Sequence, residues 1–258
     1  MKIFVCIKQV PDTETKIKIS PDLNSIDSTS IKWVVNPYDE FAIEESVKLK
    51  EANPGSSVTV FTVGPKKRTV EALRTAIAMG ADEGVVVDTP ENIDSYIAAK
   101  ALAAAIQKEG AFDLILTGKM AIDDGAHSVS QMLAEFLNVP HATVVSKLTA
   151  SAGEFTIERD VDGGAKEVIT LKGTPVIAAN KGLNMPRYAS LPGIMKAKKK
   201  VLKELDLAGL GLDVAHAKIQ YTAYQLPPEK PPVKILTGDI SSQIKELVKL
   251  LRDEAKAL

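Results

Sequence analysis

The segment 57–88, SVTVFTVGPKKRTVEALRTAIAMGADEGVVVD, decides the fold class because it has the pattern of a strand, a helix and a second strand. Its two ends are near-continuous apolar runs, which are typical of parallel strands covered on both faces. Between them, Val70, Leu73 and Ile77 share one helical stripe, and Gly80 is expected to end the helix. Such a unit predicts a right-handed crossover and a doubly wound sheet.

The same alternation extends outward in both directions, up to about residue 140. Asn36 is a predicted N-cap, with Pro37 at the first helical position. Further strands are predicted at 2–8 and 112–118, and further helices at 36–53, 92–110 and 128–138. The predicted class is therefore α/β, with a mostly parallel sheet.

The pattern changes after residue 140. Residues 142–180 contain three or four strand-like runs separated by turn signals at Ala152/Gly153 and at 162–164, which predicts antiparallel strands added to one edge of the sheet. From about 201 a proline-rich stretch predicts an extended arm without a core of its own, and an amphipathic helix with Ser241 or Ser242 near its cap follows. We therefore expect a nucleotide-binding α/β domain at 1–200 and an arm with a terminal helix at 201–258.

Composition narrows the function. The chain has 258 residues, a formal charge of −1 and 45% hydrophobic residues, which indicates a soluble globular protein and argues against a dedicated nucleic-acid binder. The single cysteine, Cys6, permits no intrachain disulfide and predicts a reducing environment, which is the cytoplasm or, after trimming, an organelle lumen. The N-terminal apolar run is too short for a signal peptide and is predicted as a strand. No P-loop, zincin or nucleophile-elbow motif occurs, and neither a catalytic residue nor a metal site is predicted.

The segment 114–133, LILTGKMAIDDGAHSVSQML, is the main candidate for a binding site. A buried strand ends at Gly118, a polar loop follows, and a helix begins near Ser128. Ligands of open α/β sheets bind beyond the carboxyl ends of the strands, and a helix N-terminus favours an anion such as phosphate. Asp123 and Asp124 would then point elsewhere, towards ribose hydroxyls or the N–H groups of the loop. Alternatively, Asp124 caps the helix and the loop binds nothing.

A second candidate is the segment 179–200, ANKGLNMPRYASLPGIMKAKKK. Its first part is apolar and stiffened by prolines, and it contains the residue types Met, Tyr and Arg that are enriched at protein interfaces. Four lysines, Lys196, Lys199, Lys200 and Lys203, are predicted on one helical face, where they would steer an acidic partner. The alternative is a solvated lysine face, which leaves the apolar loop unexplained.

These residues closely resemble the signature of the electron transfer flavoprotein β subunit. The similarity extends over essentially the whole chain, through the blocks VNPYDEFAIEESVKLKE, ALRTAIAMGAD, GKMAIDDGAHSVSQM and ERDVDGG, and is weakest at 201–240. It implies an electron carrier rather than an enzyme. It implies a heterodimer whose α subunit holds most of the FAD, with AMP bound structurally by the β subunit. The arm and terminal helix at 201–258 are then expected to dock on the α subunit, the alternative being that they dock back on the same chain. Electrons would arrive from acyl-CoA or related dehydrogenases and leave to a membrane quinone reductase.

The resemblance also implies site residues. Those implied for the AMP pocket are Cys6, Asn36, Pro37, Tyr38, Asp39, Val63, Gly118, Lys119, Met120, Ala121, Ile122, Asp123, Asp124, Gly125, Ala126, His127, Ser128 and Val129. Leu191 corresponds to an anchor that inserts into the dehydrogenase, within a recognition loop at 187–196. The docking residues are Arg187, Tyr188, Leu191, Pro192, Ile194, Met195, Lys196, Lys199 and Lys200.

Two positions depart from the family pattern. Met120 stands where many relatives have glutamine, and Val129 where they have threonine, so phosphate donors would come from the backbone, His127 and Ser128. Some relatives bifurcate electrons and bind a second FAD in this pocket, with the loop order Asp-Gly-Asp-Thr. Here the order Asp123, Asp124, Gly125 is nearer to the AMP-binding type. Two other hypotheses are a stand-alone nucleotide-binding α/β protein and a basic nucleic-acid-binding module, neither of which needs the arm or the apolar loop.

Overall fold

Strand β1 (Lys2–Ile7) lies in the interior of the molecule's main sheet, between β4 and β6. Within residues 1–151 and 153–258, the part of the chain that the computed structural model describes, nine strands form this sheet. Besides β1, this sheet contains β4 (Ser57–Gly64), β5 (Glu83–Asp88), β6 (Leu114–Gly118), β7 (His141–Ser151), β8 (Glu154–Asp160), β9 (Lys166–Lys172), β10 (Val176–Ala179) and β11 (Lys203–Asp206). Strands β2 (Gln9–Pro11) and β3 (Trp33–Val35) form a separate two-stranded sheet. The helices are α1 (Pro37–Ala52), α2 (Lys66–Met79), α3 (Ser95–Glu109), α4 (Val129–Leu137), α5 (Leu191–Lys199) and α6 (Ile240–Asp253).

The strand order is β11-β5-β4-β1-β6-β10-β7-β8-β9. Neighbours from β11 to β7 pair in parallel, while β7, β8 and β9 pair antiparallel. The chain builds outward from β1 through β4 to β5 and then crosses to β6 on the other side of β1. The carboxyl ends of β1, β4 and β6 therefore flank the topological switch point, where open α/β sheets bind ligands.

Strand β1 shows why the sheet is covered on both faces. Ile3, Val5 and Ile7 pack in the core that contains residues of α1 and α2, whereas Phe4 and Cys6 pack in the core that contains residues of α3 and α4. Successive side chains of a strand point to opposite faces, so an unbroken apolar run supplies two cores at once. The doubly wound fold with an antiparallel edge is confirmed.

The part of the sheet formed by β7 to β10 differs in detail from the prediction. The segment 142–180 does add an antiparallel edge, formed by β7, β8 and β9. Strand β10 instead runs parallel between β6 and β7, with all four of its residues buried. Its short, fully apolar sequence VIAA suits an interior position better than an edge. Of the predicted turn at Ala152/Gly153, Ala152 lies outside the described residues.

The segment after residue 200 also differs from the expected extended arm. Residues 203–206 form strand β11, which pairs in parallel with β5 at the edge of the sheet. Leu207 is buried in the core beside α3, and Leu205 packs against that core. The polar sequence KELD gives no strand signal, because an edge strand with an exposed face does not need an apolar run. The structure divides the chain into two compact units, Met1–Tyr224 and Gln225–Leu258, whereas the sequence placed the division after residue 200.

The second unit consists of a proline-rich stretch and α6. Asp239 is the N-cap of α6 and accepts a hydrogen bond from the backbone N–H of Ser242 at 3.1 Å, so both serines lie near the cap, as predicted. The apolar side chains of Ile240, Ile244 and Leu247 are exposed on this helix.

We predict that Phe61→Ala lowers the free energy of unfolding by about 3–5 kcal/mol, because a large buried side chain leaves a cavity. The Phe61 ring is fully buried, and its centroid lies 5.0 Å from that of Phe4 in an edge-to-face pair. Urea unfolding of the purified protein measures the change. Val168→Ala on the exposed face of β9 is the control, and an equal loss in both variants would contradict this account of the core.

Candidate functional site

A cavity of about 1150 Å³ lies at the carboxyl ends of β1, β4 and β6. Cys6, Val63 and Gly118 lie at the ends of these three strands, and all three line the cavity. Tyr38 in the first turn of α1 forms another part of the wall, and Lys119 Nζ lies 4.9 Å from the centroid of its ring. The cavity thus occupies the crevice that the strand order creates.

The buried Asp39 carboxylate joins three elements at the floor of this site. Its Oδ2 accepts a hydrogen bond from the Lys8 backbone N–H at 2.6 Å, and its Oδ1 accepts from the Gly118 N–H at 3.0 Å. Asn36 Nδ2 also donates to Oδ1, at 3.0 Å. Burial raises the pKa of Asp39 to about 7, against the effect of these donors. A Cβ on Gly118 would lie 2.2 Å from Oδ1, so this junction requires glycine.

Asn36 occupies the predicted N-cap position of α1, but its side chain does not cap the helix. Its Nδ2 donates to the Met120 carbonyl at 2.8 Å, and its Oδ1 accepts from the Ile122 N–H at 3.2 Å. The amide therefore holds the loop after β6 against the start of α1. The hydrogen bonds of Asp39 and Asn36 together set the shape of the cavity wall.

Asp123 and Asp124 both face Lys8. Its ammonium lies 2.8 Å from Asp123 Oδ1 and 3.0 Å from Asp124 Oδ2. Asp124 Oδ1 also accepts from the Ala126 N–H at 2.9 Å, so the carboxylates face a lysine and the N–H groups of their own loop. Helix α4 begins at Val129, five residues after Asp124, and the alternative that Asp124 caps it is wrong.

The N-terminus of α4 has the properties of an anion site. Ser128 is in the N-cap position without a side-chain cap, and it lines the cavity together with Val129. Within the described residues, the backbone N–H groups of His127, Ser128 and Val129 donate to no protein acceptor. These groups lie at the positive end of the helix dipole, where an anion is stabilised.

Most of the sequence-derived pocket residues line the cavity. They are Cys6, Asn36, Pro37, Tyr38, Asp39, Val63, Gly118, Lys119, Met120, Ala121, Ile122, Asp123, Asp124, Ala126, Ser128 and Val129. Gly125 and His127 are not part of its lining and are exposed.

Sequence reasoning missed several lining residues, among them Lys8, Trp33, Arg68, Tyr221 and Tyr224. Lys8 directly follows β1, so its place at the carboxyl edge was open to inference. The two tyrosines lie about 100 residues beyond the loop after β6 in the chain, and no local pattern indicates that they return to it.

The segment with Tyr221 is fixed by Asp94. Asp94 Oδ2 accepts from the backbone N–H groups of Lys218 at 2.6 Å and Ile219 at 3.0 Å, while Oδ1 accepts from the Ile97 N–H at 2.8 Å and caps α3. Burial opposes ionisation of Asp94, but these donors outweigh it and hold its pKa below the ordinary value. One carboxylate therefore ties the start of α3 to a wall of the cavity.

The segment between β10 and α5 presents a second surface, with apolar side chains directed outward. Tyr188 is 98% exposed, Met185 89% and Leu191 74%, and Ile194 and Met195 are also exposed. A group of exposed large apolar side chains this close together is typical of an interaction site.

The prediction that four lysines share one helical face is wrong for Lys200 and Lys203, because α5 ends at Lys199. Lys200 pairs with Glu83 at 2.5 Å, and Lys203 lies in β11 and pairs with Glu109 at 2.6 Å. Lys196 and Lys199 are exposed on α5 and form no ion pair within the described residues. The cations available for steering are thus those of the helix itself.

Comparison with known proteins agrees with this architecture. The family model for the electron transfer flavoprotein domain matches residues 24–210. Relatives named electron transfer flavoprotein subunit beta include one from Bacillus subtilis, 43% identical with 100% of both chains covered. The relative from Bradyrhizobium diazoefficiens is 38% identical, with 100% of both chains covered. The relative from Homo sapiens is also 38% identical, with 96% of this chain and 98% of the relative covered.

The chain belongs to the electron transfer flavoprotein β-subunit family. The region matched by the electron transfer flavoprotein model contains the loop after β6, the apolar segment before α5 and strand β11. The docking segment thus lies inside the matched region, whereas the cavity also has lining residues outside it, among them Cys6, Lys8, Tyr221 and Tyr224. Among the described residues, no helix has the length and apolar character to cross a bilayer.

In this β-subunit fold, we predict that Asp94→Asn lowers the free energy of unfolding at pH 7 by about 1–2 kcal/mol, since one carboxylate oxygen no longer accepts from the backbone. Asp94 has a folded pKa below its ordinary 3.8, so its contribution is present above that value and is lost as the pH falls through the folded pKa. Urea unfolding of both proteins between pH 7 and pH 3 measures this. The difference in the free energy of unfolding between the wild type and Asp94→Asn should become smaller towards pH 3. The exposed Asp162→Asn is the control, and a gap independent of pH would contradict the role of the charge.

Proposed function

We propose that this chain is the β subunit of a cytoplasmic, heterodimeric electron transfer flavoprotein. Its α-subunit partner would hold most of the FAD, and the complex would take electrons from acyl-CoA or related dehydrogenases and pass them to a membrane quinone reductase. The full-length similarity to named β subunits supports this proposal. FAD, when bound in the heterodimer, would supply the redox chemistry, and this chain would supply a platform, a nucleotide pocket and a docking surface.

We infer that the cavity binds AMP as a structural nucleotide. The observation that carries this inference is the N-terminus of α4 at the cavity wall, where the N–H groups of Ser128 and Val129 lack protein acceptors among the described residues. Phosphate is the anion that such a helix end accommodates. The loop order Asp123, Asp124, Gly125 favours AMP over a second FAD, which is the alternative occupant.

We infer that the exposed apolar segment docks the dehydrogenase. Leu191 begins α5 and is largely exposed, so it can insert into a partner pocket at the cost of little internal packing. Lys196 and Lys199 on the same helix would raise the encounter rate with an acidic partner, while the apolar anchor would slow dissociation.

The deciding experiment is to purify the chain with its α subunit, denature the complex, and quantify the FAD and AMP released. One FAD and one AMP per heterodimer support the proposal. Two FAD and no AMP would assign the chain to the bifurcating class. A monomer with neither nucleotide would contradict the proposal, and a stand-alone nucleotide-binding protein would then be the better account.

We predict that Ser128→Asp lowers the AMP content of the purified complex about tenfold or more, because a carboxylate would face the phosphate at the start of α4. Asp is a favourable N-cap, so after removal of the nucleotide from both proteins the variant should unfold at the same temperature as the wild type or a higher one. Ser128→Asn is the matched neutral control and should keep its AMP. Equal AMP content in all three proteins would place the phosphate elsewhere.

We predict that Leu191→Ala raises the apparent KM of the complex as electron acceptor of a purified acyl-CoA dehydrogenase about 30-fold. This corresponds to the loss of about 2 kcal/mol that is typical for an interface hot spot. Steady-state turnover at varied concentrations of the complex gives the value. Val168→Ala, an exposed apolar truncation on β9, should leave it unchanged, and an unchanged KM for Leu191→Ala would refute docking through this segment.

A further inference from the structure

The docking loop, residues 180–190 between β10 and α5, lies across one face of α1. Asn184 Nδ2 donates to the Phe41 carbonyl and to Glu45 Oε2, each at 2.9 Å. Three residues later, Arg187 Nε donates to Glu44 Oε2 at 2.8 Å. The side chains of Asn184 and Arg187 thus contact the helix, while Met185 and Tyr188 beside them are almost fully exposed.

Arg187 makes the more extensive of these two attachments. Its backbone N–H donates to Glu44 Oε2 at 3.0 Å and its Nη2 to Glu44 Oε1 at 3.1 Å. Its Nη1 and Nη2 also donate to the two carboxylate oxygens of Glu51, at 2.6 Å and 3.0 Å. Glu51 lies seven residues after Glu44, two turns along the same face of α1, and a planar guanidinium fork can pair with both carboxylates at once.

Glu44 depends on this contact. Its side chain is only 7% exposed, and within the described residues every hydrogen bond to its carboxylate comes from Arg187. A buried carboxylate without a partner is strongly unfavourable. The hydrogen bonds with Glu51 and Glu44 raise the pKa of Arg187, which is therefore a permanent cation held by internal acids.

The far end of the docking surface is fixed as well. A Cβ on Gly193 would lie 2.3 Å from the Ala78 carbonyl oxygen, so α5 approaches the end of α2 more closely than any side chain permits. Arg74 Nη1 donates to the carbonyl groups of Ala197 at 2.6 Å and Lys198 at 3.2 Å, near the end of α5. Leu191 therefore lies between two attachments to the α/β domain.

We propose that Arg187 is a positioning residue that holds the docking loop on α1 through Glu44 and Glu51 and does not itself bind the partner. This inference rests on the proposed docking function of Leu191, and it differs from the assignment of Arg187 as a docking contact. The Arg187–Glu44–Glu51 cluster keeps the anchor in one geometry before encounter, which removes an ordering cost from association. Its charge is already neutralised, so steering is left to Lys196 and Lys199.

The test compares four variants in the intact heterodimer: Arg187→Gln, Arg187→Lys, Lys199→Gln and Leu191→Ala. Hydrogen–deuterium exchange measures the protection of residues 183–190. Steady-state turnover with a purified acyl-CoA dehydrogenase, at several ionic strengths, gives the apparent KM, kcat and the salt dependence of kcat/KM. Arg187→Lys keeps the positive charge beside Glu44, so it provides a folded protein if Arg187→Gln is unstable.

For Arg187→Gln we expect at least tenfold faster exchange in 183–190 and an apparent KM about tenfold higher. Its kcat and the salt dependence of kcat/KM should equal those of the wild type. For Arg187→Lys, the exchange rate and the apparent KM should lie between those of the wild type and Arg187→Gln, because an ammonium group cannot pair with both carboxylates in the way a planar guanidinium does. Lys199→Gln should weaken the salt dependence and leave the exchange unchanged.

The inference would be overturned if residues 183–190 exchange at the wild-type rate in both Arg187 variants. It would also be overturned if Arg187→Gln weakens the salt dependence of kcat/KM as Lys199→Gln does. The Leu191→Ala variant distinguishes a failure of the positioning role of Arg187 from a failure of the proposed docking function. If Leu191→Ala raises the KM while the Arg187 variants exchange like the wild type, only the positioning role is wrong. If Leu191→Ala leaves the KM unchanged, docking through this loop is wrong, and the positioning role is overturned with it.

Discussion

The hydrogen bonds to the buried Asp39 carboxylate are the interaction on which both surfaces of this protein depend. They connect the backbone after β1, the end of β6 and the first turn of α1, and Gly118 lets the strand come close enough to make them. This junction holds the first turn of α1 at the carboxyl edge of the sheet, while Ala42, Ile43 and Val47 pack the helix into the core. Asn36 then extends the connection to the loop that leads to α4.

Helix α1 consequently serves two sites. Its first turn forms part of the cavity wall, and its middle and last turns carry the acids that contact the docking loop. Glu44 and Glu45 are buried although they lie on a helix, because Arg187 and Asn184 cover them from outside. Helix α1 thus packs on the sheet through Ala42, Ile43 and Val47, while its buried acids face the docking loop.

The sequence was sufficient for the architecture and for the place of the cavity, because both depend on local periodicity. Apolar runs, helical stripes and end signals such as Gly80 identified the parallel strands and their helices, and the end of a strand before a polar loop identified the crevice. The family resemblance added the roles of particular residues, and the full-length relatives support the family itself.

What sequence reasoning could not supply was pairing between distant segments. Nothing near Arg187 indicates that its partners lie 143 and 136 residues earlier on α1, and the lysine run gave no sign that Lys200 and Lys203 pair with acids of the α/β domain. Strand β11 was missed because its sequence is polar, and Tyr221 and Tyr224 because only the fold brings them to the cavity. In each case a long-range electrostatic or packing contact determines the role of the residue.

The backbone N–H groups at the start of α4 have a thermodynamic consequence. A protein that leaves donors for a bound anion gains stability from that ligand by mass action, by about 2.7 kcal/mol at a ligand concentration 100 times its dissociation constant. Under the proposed binding of AMP, the folded population of the chain would follow the supply of the nucleotide, although the proposed role of AMP is structural and not redox. A structural ligand in this position would couple the abundance of an electron carrier to the adenylate pool of the cell.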